Sequence, residues 1–313
     1  MENLPIDPQE KIEQLLKEME KVIYGKREVL RLTIVALLAG GHVLLEDVPG
    51  VGKTLLVKTL AKAIQGKFSR VQFTPDLLPN DILGLSIFNA QTKQFEFRPG
   101  PIFTTVLLAD EINRTTPRTQ AALLEAMSEG HVTIDNHTYP LDAHFFVLAT
   151  QNPIDYEGTY VLPEAQLDRF LFRLQIGYPA FEEELALLLN DSRGLETIQT
   201  VLSNEEVDLL KQAVNEVYLD PAVARYALEL ISATRNHPQI LLGISPRGGN
   251  AFVHAAKAYA LTNGRNYVSP QDLQTLIPYV FQHRLLFRNT ELSDLQIDSL
   301  FEELIQSIPV PVR

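Results

Sequence analysis

An α/β domain followed by a helical one is what three stretches of this 313-residue chain predict. The first is residues 42–56, HVLLEDVPGVGKTLL, where an apolar run, a Gly/Pro turn and helical apolar spacing at Leu56, Leu60 and Ile64 read as strand, loop and helix. The second is Val106-Leu107-Leu108-Ala109-Asp110-Glu111, a near-continuous apolar run of the kind carried by a strand buried on both faces, closed by two acids. The third is a change of composition after Tyr178-Pro179, beyond which only helical patterns follow. Together they predict a five-stranded parallel sheet flanked by helices over residues 1–178 and an all-α domain over 179–313.

The chain opens with an amphipathic helix. Asp7 stands as its N-cap, Pro8 takes the first turn, Glu10 completes a capping box, and Ile12, Leu15, Leu16, Met19 and Val22 share one face. A break at Tyr24-Gly25-Lys26 leads to a second helix through Val29, Leu30, Ile34, Leu37 and Leu38. The strand, loop and helix that come next have the layout of a P-loop. Gly50 and Gly52 let backbone N–H groups turn inward with no Cβ in the way, at a helix N-terminus carrying about half a positive charge. The loop expected to hold a nucleotide is therefore Pro49, Gly50, Val51, Gly52, Lys53, Thr54 and Leu55, with Lys53 reaching the β- and γ-phosphates and Thr54 ligating Mg²⁺. Asp47 departs from the pattern G-x-x-x-x-G-K-[ST], standing where its first glycine is expected. With a nucleotide expected, the turn from Val22 to Gly25 fits beside an adenine ring, and it fits a plain helix-to-helix turn equally well.

Residues 70–73 read as a strand, 74–79 as irregular, and 86–97 as a hairpin, since apolar alternation at Ile87, Phe88, Phe95 and Phe97 flanks a polar centre. The run at 106–111 delivers Asp110 and Glu111 to the carboxyl edge of the sheet, where ligands of open α/β sheets sit. There Asp110 would hold Mg²⁺ through water and Glu111 would orient the attacking water. Two acids after a strand also fit a solvated turn or a helix cap; the P-loop upstream favours the catalytic reading. A helix at 116–128, a second hairpin at 132–141 turning at Asp135-Asn136-His137, and a buried strand at 144–150 follow. That strand ends at Gln151-Asn152-Pro153, so the Asn152 amide is a candidate for the γ-phosphate or the attacking water. Residues 171–176 supply the fifth strand. Helices are then expected at 181–189, 203–217 (with Ser203 and Glu206 as a capping box), 220–234, 245–261, 269–280 and 294–305, and the loosest segment at 191–200.

Composition narrows the function. Twenty-seven Lys plus Arg against 39 Asp plus Glu give a net charge of -12, which argues against a nucleic-acid backbone as ligand. There is no cysteine for disulfides or thiolate metal sites, the start MENLPIDPQE lacks signal-peptide character, and apolar runs such as 33–39 are too short to span a bilayer. A soluble cytoplasmic protein is expected. The seven histidines show no paired-ligand spacing, and no NKxD stretch marks guanine, so ATP is expected over GTP.

The chain resembles the MoxR ATPases, a branch of the AAA+ superfamily with a helix-2 insert. The resemblance rests on LLEDVPGVGKT, FTPDLLPNDILG, FRPGPIF, LLADEINRTTPRTQAALLEAM, LATQNP, LPEAQLDRF and ISPRG, in that order. It implies Lys53 and Thr54 as the Walker A pair, Asp110 and Glu111 as Walker B, and Asn152 as sensor 1. It further implies Arg169 as an arginine finger reaching a neighbouring subunit's nucleotide, Arg247 as sensor 2, and the two hairpins as pore-lining inserts. It also implies ATP with Mg²⁺, a homo-hexameric ring, and chaperone-like remodelling or maturation of client proteins, often through a partner with a von Willebrand factor A domain. The competing expectation is a nucleic-acid motor on the same core. Against it, the stretch Asn89-Ala90-Gln91-Thr92-Lys93-Gln94 holds one cation and no aromatic stacking platform.

Overall fold

The computed structural model describes residues 5–152, 159–189, 194–289 and 292–311. Helices α1 (Pro8–Glu20) and α2 (Arg27–Leu38) precede the α/β unit. That unit runs β1 (Val43–Glu46), α3 (Lys53–Ala63), β2 (Phe68–Gln72), a short α4 (Pro79–Leu83), β3 (Gly84–Asn89), β4 (Gln94–Pro99) and β5 (Val106–Asp110). It continues with α5 (Pro117–Glu129), β6 (His131–Ile134), β7 (His137–Pro140), β8 (Phe146–Gln151), a short α6 (Glu164–Leu167) and β9 (Phe172–Leu174). Beyond it lie α7 (Phe181–Leu189), α8 (Asn204–Glu216), α9 (Pro221–Asn236), β10 (Ile240–Leu242), α10 (Pro246–Thr262), α11 (Pro270–Phe281), β11 (Leu286–Phe287) and α12 (Asp294–Gln306).

The five expected strands form one parallel sheet in the order β2-β5-β8-β1-β9. Its central strands are apolar on both faces because both faces are covered. Val43, Leu45, Val106, Leu108, Phe146 and Leu148 enter one core; Leu44, Leu107, Ala109, Val147 and Ala149 alternate into the other, beneath Leu123 and Leu124 of α5. The first core continues through α1, α2 and α3 into the C-terminal helices as far as Leu304, so the hydrophobic interior does not stop where the sequence pattern changes near residue 178. Crossovers of this kind bring the carboxyl ends of β1, β2, β5 and β8 to one edge, with Gln72 opposite Asp110 and Glu46 opposite Gln151.

Both hairpins form, as β3–β4 and β6–β7. The second turns on Asp135 and Asn136 alone, at φ 49° and 63°, while His137 pairs with Ile134 as a strand residue. Phe88 and Phe95 pack edge to face just below the tip of the first hairpin, so an exposed aromatic pair flanks the 89–94 stretch. Asp7 caps α1 as expected, accepting from Gln9 N at 2.9 Å, but Glu10 takes Gln14 Nε2 instead of closing a box. The expectation of helices alone beyond 178 is corrected by the antiparallel ribbon β10–β11. Of the segment expected to be loosest, residues 194–200 are described and include a turn of 3₁₀ helix at Leu195–Thr197, and 191–193 lie outside the described residues.

Candidate functional site

A cleft of about 440 Å³ opens at the carboxyl edge of the sheet, lined by Pro49, Gly50, Gly52, Lys53, Thr54, Leu55, Arg70, Gln72, Asp110, Glu111 and Asn152. Most of the residues expected to handle a nucleotide are thus brought together from three separate strand ends, those of β1, β5 and β8. Gly50 and Gly52 take φ of 89° and 94°, and a Cβ at either would stand in open space, the space a phosphate needs. No side chain caps α3, which leaves the cap role at its N-terminus to a ligand.

Asp47 explains its own departure from the usual pattern. Its carboxylate accepts Ile176 N at 2.5 Å and Gly177 N at 3.0 Å, tying the loop to the chain leaving β9, while its carbonyl accepts Lys53 Nζ at 2.8 Å. Burial pulls the Lys53 ammonium below the ordinary lysine range, and Asp47, Asp110 and Glu111 pull against it. Behind the loop, Glu46 is held by Gln151 Nε2 at 2.5 Å and by Arg173.

The two acids share one anchor. Thr150 Oγ1 donates to Asp110 Oδ1 at 2.7 Å and accepts Glu111 N at 2.8 Å. Glu111 sits in the left-handed region at φ 58°, a conformation that costs a non-glycine residue about 1 to 3 kcal/mol and turns its side chain off the strand into the cleft rim. Its Oε2 accepts Gln72 Nε2 at 2.8 Å and Arg114 Nη1 at 3.0 Å. Asp110 Oδ2 accepts Arg70 Nη2 at 2.6 Å and Nε at 3.2 Å, so this oxygen already faces a positive charge. With the Thr54 hydroxyl it makes a hard-oxygen pair that suits Mg²⁺.

Arg70 and Gln72 in the cleft, and the buried Thr150 behind the acids, are the residues the sequence reading left out. Two long polar side chains at i and i+2 in a strand were the available signal for Arg70 and Gln72, and it became meaningful only once β2 lay beside β5.

A second cavity of about 380 Å³ adjoins the first across Pro49, Gly50, Gly52 and Leu55, and adds Val51. Val22, Ile23, Tyr24, Tyr178, Pro179 and Leu188 line it, a largely apolar enclosure fit for a planar base. Gly25 is not among its lining residues. The glycine is favoured instead because its φ is 66°, in the left-handed region.

Arg169 and Arg247 lie outside this cleft. Among the described residues the Arg169 guanidinium has no ion-pair partner, and Arg247 Nη2 reaches only Ser128 Oγ at 3.3 Å. Neither lines the cleft of its own chain. Pro153, the residue after Asn152, lies outside the described residues.

A parallel sheet with a phosphate loop and paired acids at one edge, followed by a helical lid, defines an AAA-type ATPase. Residues 42–172 match the model of the ATPase family associated with various cellular activities, and 232–304 match the AAA lid domain. The chain belongs to the MoxR family of these proteins. It is 51% identical to YeaC of Bacillus subtilis, a protein of uncharacterised function, over 95% of this chain and 94% of that one. It is 39% identical to the chaperone MoxR1 of Mycobacterium tuberculosis, over 96% and 82%. A crystal structure from Cytophaga hutchinsonii, provisionally assigned as an ATPase, superposes with a TM-score of 0.88 at 37% identity, covering 97% of this chain and 96% of its own.

Proposed function

We propose that the protein hydrolyses ATP with Mg²⁺ and, in a ring of like chains, uses the turnover to remodel or mature client proteins. The observation that carries this is the convergence of Lys53, Thr54, Asp110, Glu111 and Asn152 on one cleft beside a base-sized cavity. Lys53 neutralises the β- and γ-phosphate oxygens, and the loop N–H groups of 50–54 cradle them. Glu111, held by Gln72 and Arg114, orients a water in line with the γ-phosphorus, and the Asn152 amide steadies that water or a γ-oxygen. As the water oxygen bonds to phosphorus, its proton passes to Glu111 or a γ-oxygen, the bond to the β-bridging oxygen breaks, and ADP and phosphate leave. Thr54 and Asp110 would hold Mg²⁺, which would neutralise phosphate charge when the nucleotide is present.

Ring assembly is supported by where the arginines lie. A guanidinium worth 10³ to 10⁵ in rate, to order of magnitude, in the best-studied phosphoryl transfers is of no use outside the cleft of its own chain, so Arg169 and Arg247 are supplied to a neighbour. The exposed Phe88–Phe95 pair on the first hairpin offers an apolar contact for a client, and a relative named as a chaperone supports a client protein; a von Willebrand factor A domain partner is what the family resemblance implies. A nucleic-acid motor is not favoured: the hairpin tip carries Lys93 as its one cation, and the net charge is -12. A cytoplasmic location fits the acidic, cysteine-free composition. The test separates binding from chemistry. Lys53→Ala should lose ATP binding, whereas Glu111→Gln should bind ATP and turn it over far more slowly, by equilibrium binding and steady-state phosphate release. Turnover in Glu111→Gln equal to the parent's would overturn the assignment.

A further inference from the structure

Among the described residues, the most deeply buried guanidinium on which several hydrogen bonds converge has no part in the cleft. Arg284 follows α11, and its side chain is 2% exposed. Nε donates to Asp168 Oδ1 at 2.7 Å, Nη2 to Phe170 O at 2.5 Å and Asp168 O at 3.3 Å, and Nη1 to Leu171 O at 3.0 Å and Val280 O at 2.6 Å. The adjacent His283 adds Nε2 to Phe170 O at 2.9 Å, so two consecutive lid residues hold the backbone of 168–171. A buried arginine spends its desolvation cost where geometry matters, because its planar fork fixes several acceptors at once.

The other oxygen of Asp168 points elsewhere. Oδ2 accepts Ser245 Oγ at 3.0 Å, and the same hydroxyl accepts Gly248 N at 2.9 Å as the N-cap of α10. Gly248 also lets α10 come close, since a Cβ there would stand 3.1 Å from Arg284 Cδ. One carboxylate thus ties the end of α11 to the start of α10 and to the turn after α6. Arg169 is the residue after Asp168, and Arg247 lies two residues past Ser245.

We propose that Arg284, Asp168 and Ser245 form a clamp that makes Arg169 and Arg247 one rigid pair, presented together to a neighbouring chain's nucleotide. Arg284 and Asp168 are positioning residues, touching no phosphate themselves. The proposal rests on the reading above that Arg169 acts on a neighbour. With the clamp open, the arginines lose registration with each other, and misplacement by about 1 Å costs up to about 100-fold in rate.

The test uses Arg284→Lys, which keeps the charge and loses the fork, and Asp168→Asn, which keeps the shape and weakens the ion pair. Circular dichroism and a melting curve establish that each is folded, and Asp168→Asn carries the test if Arg284→Lys is not. The expected result is ATP affinity like the parent's with kcat lowered about 10- to 100-fold. Mixing with Lys53→Ala subunits should restore activity above the sum of the two, because those subunits lend an intact clamp and arginine pair to intact P-loops. A merely structural defect in cis would not be rescued in this way. Arg169→Ala mixed with Lys53→Ala runs in parallel. If that control recovers and the clamp variants do not, or if the clamp variants turn over at the parent rate, the clamp is overturned; if the control itself stays inactive in rings confirmed by mass, the reading of Arg169 fails instead.

Discussion

Replacing Asp47 tests whether the departure from the common phosphate-loop pattern is a structural device. The side chain is 6% exposed and accepts two backbone N–H groups, from Ile176 and Gly177, at 2.5 and 3.0 Å. Hydrogen bonds to a charged acceptor contribute roughly 1.5 to 3 kcal/mol each, and the donors left behind have little water to turn to. Asp47→Ala should therefore lose about 3 to 6 kcal/mol. Asp47→Asn should lose about 2, since it offers one acceptor oxygen and turns an N–H₂ toward the other donor. Asp47→Gly, which restores the residue of the common pattern, should be no better than Ala and adds backbone freedom. Because Ile176, Gly177 and Tyr178 line the base cavity, the same variants should weaken nucleotide binding even though Lys53 is intact. Urea unfolding gives the first quantity and titration with a fluorescent ATP analogue the second. Asp47→Ala within about 1 kcal/mol of the parent would refute the anchoring role.

A pH dependence follows from His42, which is fully buried, accepts Val147 N at Nδ1 and contacts Met127 O through Nε2; burial lowers its pKa from 6.5 to about 4. The unfolded chain then binds the extra proton between those values, so stability is fully present above pH 6.5 and falls by about 2 kcal/mol by pH 5. His42→Gln should be less stable at pH 7.5 yet lose less on acidification, and an unchanged pH slope in urea midpoints would contradict this. Exchanging Gln91-Thr92-Lys93 for Gly-Ser-Gly in the Glu111→Gln background should reduce the client protein retained from lysate while leaving ATP binding intact. Loss of ATP binding would place the hairpin in the nucleotide site instead.

The parts of the fold legible in the sequence are those whose cause is local. Val106 to Ala109 had to be a doubly covered strand because nothing in it tolerates water, and the Ser203/Glu206 box was visible because both partners sit within one turn, where Ser203 N donates to Glu206 at 2.9 Å. The same logic overreached at Glu10, where Gln14 competes for the carboxylate from one turn further on. The ribbon β10–β11 was hidden by its size: three and two residues are too few for alternation to show. Arg70 and Gln72 were hidden differently. Their chemistry exists only because β2 lies beside β5, and strand order is a property of crossovers that no stretch of residues carries alone.

Arg169 and Arg247 show where that limit bears on function. From sequence, each is an arginine beside a turn, and a surface ion pair worth about 0 to 1 kcal/mol would account for it. Against that account, Asp168, the residue before Arg169, is already committed to Arg284 and Ser245. In the ring proposed above, two arginines beside such a satisfied carboxylate and outside the cleft of their own chain would meet a neighbour's γ-phosphate. The proposed assembly and the placement of these cations therefore stand or fall together.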